Sequence, residues 1–108
     1  MLILINFPKL KKGRENDFLQ WFEWTNIEFQ QFGGFVSRKL IKSKFKDDPT
    51  YSAIFEVKDL ESFSKIHSSN LHKIVFSRVI PMLEGEPERE FYDVVLPLRG
   101  FATVKKYS

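Results

Sequence analysis

Two short segments of this chain are apolar on both alternations, and this pattern narrows the possible folds more than anything else in the sequence. In residues 1–7, Met1, Ile3, Ile5 and Phe7 take one face of an extended strand, and Leu2 and Leu4 take the other. Residues 90–96 (Glu-Phe-Tyr-Asp-Val-Val-Leu) repeat the pattern near the end. Strands of this kind are buried on both sides. Between them the period changes to that of a helix. Over residues 14–32, Phe18, Trp21, Phe22, Thr25, Phe29 and Phe32 fall on one stripe, and Gly33-Gly34 stops it. Trp24 and Ile27 lie off the stripe and require a second contact surface. Residues 35–45 and 51–57 read as strands joined by the turn residues Lys46-Asp-Asp-Pro-Thr50. Asp59 is an N-cap for a helix starting near Leu60, with Leu60, Phe63, His67 and Leu71 on its apolar face. Ser68-Ser69-Asn70 interrupts that helix and caps a further piece running towards Pro81.

The order β-α-β-β-α-β predicts an α+β, ferredoxin-like split βαβ fold, a four-stranded antiparallel sheet with both helical regions on one face. The 108 residues make one domain, residues 1–96. A tail, residues 97–108, would dock or form a short extra strand through Phe101, Val104 and Tyr107. The doubly apolar strands leave the uncovered sheet face too greasy for a monomer, so a homodimer with two sheets face to face is expected.

Composition removes several function classes. With no cysteine there are no disulfides, thiol nucleophiles or cysteine-ligated clusters. A net charge of +3 is mild, and the cluster Arg38, Lys39, Lys42, Lys44 and Lys46 reads as a solvated edge, so no nucleic-acid partner is expected. No apolar run approaches the ~20 residues a membrane span needs. The start lacks a basic stretch and is interrupted by Asn6 and Pro8, so it does not read as a signal peptide and a cytoplasmic protein is expected. The 12 Phe, 3 Tyr and 2 Trp exceed what a small core needs, and point to a ligand pocket or a partner surface.

The chain as a whole resembles the antibiotic biosynthesis monooxygenase superfamily, the dimeric α+β barrels. The likeness covers about residues 1–96. It rests on the strand Leu2–Phe7, on Gly33-Gly34-Phe35, on Glu56-Val57-Lys58-Asp59-Leu60-Glu61-Ser62-Phe63 and on Ser69-Asn70-Leu71-His72. Val57 stands where the family often has Trp. The resemblance implies a dimer and an oxygenase activity of the cofactor-independent, quinol-oxidising or heme-degrading kind. The heme-degrading branch uses an Asn at the end of the first strand, a Trp and a heme-ligating His. Asn6 matches the first, Ile66 occupies the Trp position, and the His position falls near Val75 or Phe76, about one turn beyond His72.

Several residues are candidates on their own chemistry. Asn6 is polar within a doubly buried strand, so its amide must be satisfied, either by a pocket ligand or by neighbouring backbone. His67 falls on the apolar stripe, as a core residue or as a general base at a pocket. His72 lies off that stripe, towards solvent. Two histidines five residues apart without a paired carboxylate make no metal site. Asp93 is a candidate partner for Arg38 or another strand base on the dimer side, most simply as a buried structural salt bridge. Trp21, Phe22 and Phe63 are candidate walls of an apolar pocket, joined through the family resemblance by Ile66 and His72. The expectation is cofactor-free oxidation of a planar hydrophobic substrate, aromatic or quinol-type, with Asn6 anchoring an oxygen and His67 as base. Heme degradation, or non-catalytic binding of a hydrophobic ligand by a dimer, are the alternatives.

Overall fold

The computed structural model describes residues 1–96; the expected docking or extra strand of residues 97–108 lies outside the described residues. Strands β1 (Leu2–Asn6), β2 (Phe35–Lys42), β3 (Tyr51–Val57) and β4 (Glu88–Tyr92) form one sheet in the order β2-β3-β1-β4. Every neighbouring pair is antiparallel. Helices α1 (Glu15–Phe29), α2 (Leu60–His67) and α3 (Asn70–Val79) cover one face, and a 3-10 turn at Ile80–Met82 leads towards β4. This is the ferredoxin-like α+β arrangement.

Local chemistry sets the boundaries. Asp59 caps α2 by accepting from the Ser62 amide at 2.8 Å. Ser69 restarts the helix as α3, its Oγ accepting from the His72 amide at 3.1 Å. Two caps in such quick succession make two helices with separate phases. Gly34 has φ of 86°, and a Cβ there would lie 2.0 Å from Ser62 Oγ, so glycine is required by both conformation and space.

The core lies between the helices and the inner sheet face, which carries Ile3, Ile5, Ala53, Phe55 and Val57. Phe18 is completely buried at its centre, edge-on to Phe7 at 5.0 Å and stacked on Trp21 at 5.6 Å. The Trp21 indole donates to the Val75 carbonyl at 2.9 Å and so ties α1 to α3. Trp24 finds its second surface on α3, beneath the Arg78 guanidinium at 4.6 Å, whereas Ile27 is exposed.

Two strand expectations need correction. The last strand is Glu88–Tyr92 rather than 90–96, because it pairs only along the five residues that β1 offers. Asp93 therefore lies beyond the ladder, exposed, and does not pair with Arg38. Strand β2 stops at Lys42 instead of 45; Phe45 beyond it adopts a φ of 63°. The outer sheet face carries Leu2, Leu4, Ile41, Ile54 and Tyr92, with a polar knot in which Asn6 bonds Ser52 and Glu90.

Candidate functional site

The site begins with an irregularity in β2. Phe35 pairs with Val57 and Ser37 with Glu56, so Val36 is an extra residue on its strand, a β-bulge. Beyond it the alternation reverses. Arg38 pairs with Phe55, an inward residue, and so enters the space between sheet and helices. The expectation that Arg38 belongs to a solvated basic edge is corrected here: the bulge, invisible to strict alternation, turns it inside.

There the Arg38 guanidinium packs 4.2 Å above the Phe22 ring and 5.3 Å from Phe29. Its Nη1 donates to Thr25 Oγ1 and, at 3.1 Å, to Asn26 Oδ1. Thr25 spends its own proton on the Phe22 carbonyl at 2.8 Å, leaving its oxygen free to accept. The Arg38 Nε is buried without a partner. Among the described residues no carboxylate pairs with this cation, and the sequence of residues 97–108 contains no Asp or Glu. Burial pulls its pKa down to about 9, which still leaves it charged at neutral pH.

Arg38 opens onto a cavity walled by Trp21, Phe63, Ile66 and Phe76. Its other polar lining groups are His67, His72 and Arg89. Arg89 pairs with Ile5 in the ladder, which points it to the helix side, and burial lowers its pKa. The two imidazoles touch, ring centres 4.6 Å apart, with His67 also stacked on Phe63 at 5.4 Å. Mouth and interior together hold about 540 Å³ of non-atom space, but the enclosed part is about 40 Å³. That is room for about three waters at ~10–15 Å³ each. A planar substrate enters only if the rings at the mouth, Phe63, His67 and His72, part.

The histidines exchange the environments expected of them. His67 is exposed at the rim, whereas His72 is half-buried and faces the cavity. For His72 the cause is the break at Ser68-Ser69, which resets the helical phase, so α3 does not continue the stripe of α2. His67 lies before the break and is exposed because α2 buries Ile66 and not the expected apolar face, of which Leu60 is exposed as well. Burial, followed by the charges of His67, Arg89 and Arg38, holds the His72 pKa down at about 4. It is a neutral imidazole at physiological pH.

The structure thus brings together Trp21, Phe63, Ile66, His67 and His72. Phe22 is buried behind Arg38 and serves as the platform beneath its charge rather than as a wall. Asn6 does not point into the cavity. It alternates with the inward Ile5 and Phe7, and its amide donates to Glu90 Oε1 at 3.0 Å and accepts from Ser52 Oγ at 2.7 Å on the opposite face. The amide is half-buried, not enclosed in a doubly buried strand, and is satisfied by side chains. Sequence reasoning missed Arg38, Arg89 and Phe76. For Arg38 one signal exists: Phe35 and Leu40 are both inward yet five apart, an odd spacing that a regular strand cannot provide.

A heme group does not fit these residues as they are arranged. The enclosed space is far smaller than a porphyrin, and His72 is packed against His67 and Phe76 rather than facing an open slot. Among the described residues no group of three or more His, Cys, Asp or Glu is placed to hold a metal ion, and no helix is long and apolar enough to cross a membrane.

No family model matches the sequence, and no curated protein does either. Solved structures do match the fold. A protein from Nitrosomonas europaea, provisionally named an antibiotic biosynthesis monooxygenase, superposes with a TM-score of 0.74 at 9% identity, over 89% of this chain and 100% of its own. One from Caulobacter crescentus, under the same provisional name, gives 0.75 at 16% identity over 88% and 90%. SnoaB from Streptomyces nogalater, described as a cofactor-independent oxygenase, gives 0.71 at 20% identity over 90% and 97%. At these identities the likeness is one of fold.

Proposed function

We propose that this chain is a monooxygenase-like protein of the antibiotic biosynthesis monooxygenase superfamily, acting on a planar aromatic or quinol-type substrate without a cofactor. The observation that carries the reading is the aromatic-walled cavity between helices and sheet, holding two touching imidazoles, in a fold shared with a cofactor-independent oxygenase. In such a reaction the substrate supplies all the electrons: one oxygen atom of dioxygen enters the substrate and the other leaves as water.

His67 at the rim is the proposed base, since it reaches both cavity and solvent and can hand the proton on. His72, with its low proton affinity, is a poor base and serves instead as a neutral hydrogen-bonding group. The apolar walls exclude water from the reacting carbon. Asn6 has no contact with a substrate held on this side.

The homodimer belongs to the same reading. The outer face, with Leu2, Leu4, Ile41, Ile54 and Tyr92, would pack against its copy, and Asn6 would lie in that seam. Light scattering at micromolar concentration tests this, and a stable single subunit would remove it. Oxygen uptake with a panel of hydroquinones tests the chemistry; rates unchanged in His67→Ala would strip that residue of its role. No uptake, with a hydrophobic molecule retained in native mass spectrometry, would instead indicate a binding protein that catalyses nothing.

A further inference from the structure

Among the described residues the cavity holds four groups that are or can become cationic, and no carboxylate lines it. They come from separate elements: Arg38 from β2, Arg89 from β4, His67 from α2 and His72 from α3. A single buried cation without a counter-charge is costly, and a fold usually neutralises it with an acid. Here two arginines are placed inward, neither has an ion-pair partner among the described residues, and Arg38 retains an unpartnered buried N–H. The polar neighbours of Arg38, Thr25 and Asn26, are neutral acceptors that hold the guanidinium in place without cancelling its charge. Below it lies Phe22 at 4.2 Å, with the Trp21, Phe29 and Phe55 rings 5.3 to 5.9 Å away, so the cation is held among aromatic rings at the border of the cavity.

We propose that the cavity binds its ligand as an anion: a planar aromatic ionised at an acidic oxygen, of the phenolate or enolate class, with that oxygen on Arg38 and Arg89 flanking it. This deepens the oxygenase reading and rests on it for the planar shape of the ligand. A ligand anion supplies the missing counter-charge, while the flat ring packs among Trp21, Phe63 and Phe76. It also assigns work to Arg38 in the reaction. By stabilising the deprotonated substrate, the guanidinium lowers the pH at which that substrate gives up its proton to the base. An electron-rich anion is also the form that can pass electrons to dioxygen.

The test uses 4-nitrophenol, whose ionised form is read by its visible absorbance, and 4-nitroanisole, which cannot ionise. Binding is followed by quenching of tryptophan fluorescence, Trp21 being in the cavity wall. In the wild-type protein the bound phenol is expected to ionise at least one pH unit lower than free phenol, a ten-fold preference worth ~1.4 kcal/mol. 4-Nitroanisole should bind at least ten-fold more weakly than the phenolate. Arg38→Met should abolish the preference and Arg38→Lys should retain part of it. Should Arg38→Met fail to fold, the wild-type comparison of the two probes decides alone. Phenol bound with its ionisation unmoved or raised, equal affinity for the anisole, or no saturable binding of phenolate at millimolar concentration would each overturn the proposal. Oxygen uptake separates the two readings. A cavity that shows no preference for phenolate yet consumes oxygen with hydroquinones loses the anion site and keeps the oxygenase. One that prefers phenolate but never consumes oxygen does the reverse.

Discussion

Acidification from pH 7.5 to 5 should weaken this fold through His72, and the size of the effect follows from where the ring sits. In the unfolded chain the imidazole titrates at its ordinary 6.5; in the folded protein, burial and the positive charges of His67, Arg89 and Arg38 hold it at about 4. Between those values the unfolded chain binds the extra proton, so stability is intact above pH 6.5 and drains away as pH falls towards 4. Full expression of the displacement corresponds to ~3 kcal/mol, of which ~2 kcal/mol is realised by pH 5. Because the ring is only half-buried, water screens this to ~1 kcal/mol. The carboxylates of Glu15, held down chiefly by the Tyr51 hydroxyl, and Asp59, held down by Ser62, titrate below this window and stay silent in it. Urea unfolding followed by tryptophan fluorescence should show the midpoint falling by ~0.7 M, for a slope of ~1.5 kcal/mol per M. His72→Gln should unfold at nearly the same urea concentration at both pH values. If wild type and variant lost equal stability over the window, burial of His72 would not be the cause and its place in the cavity wall would be wrong.

Other expected outcomes follow from the packing. Phe18→Ala leaves a void against Phe7, Trp21 and Tyr51 and should cost ~3–5 kcal/mol in denaturant unfolding. Gly34→Ala must bear both a positive φ and the clash with Ser62, costing ~2 kcal/mol or more, whereas Gly33→Ala, with open space around it, should lie within ~0.5 kcal/mol of wild type; thermal melts compare them directly. Asp59→Ala removes the α2 cap and should cost ~1 kcal/mol, read the same way. Hemin added to the purified protein should produce no shifted Soret band; such a band, lost in His72→Ala, would reverse the conclusion drawn from the cavity.

Most of the architecture was legible because local and global signals agree. The doubly apolar first strand, the Phe18-Trp21-Phe22-Thr25-Phe29 stripe and the Asp59 and Ser69 caps each report the element that contains them. The last strand was placed two residues late because its extent depends on a partner, β1, and not on its own residues. The site was harder to read. Trp21 and Phe63 were accessible as apolar positions on helices, and Ile66 only through the family resemblance. The histidines were not: the two-residue break between α2 and α3 changes the phase for His72 without changing the composition, and in α2 the buried side is centred on Ile66 and not on the face that carries His67. Arg38 was hidden by the bulge, and Asn6 was misplaced because alternation tells which residues share a face but not which face the helices will cover.

That single supernumerary residue, Val36, has a wider implication. A sister protein that kept every residue but ran this strand as a regular ladder from Phe35 would keep the same net charge, the same helices and the same profile, yet would present Arg38 to the opposite side and leave Arg89 as the arginine of the chamber. The charge of the chamber is then governed by strand register and not by composition. An arginine three residues after the inward aromatic reaches the chamber only where the strand carries such a bulge, whereas one two residues after it does so on a regular strand, so the same composition can enclose different charge.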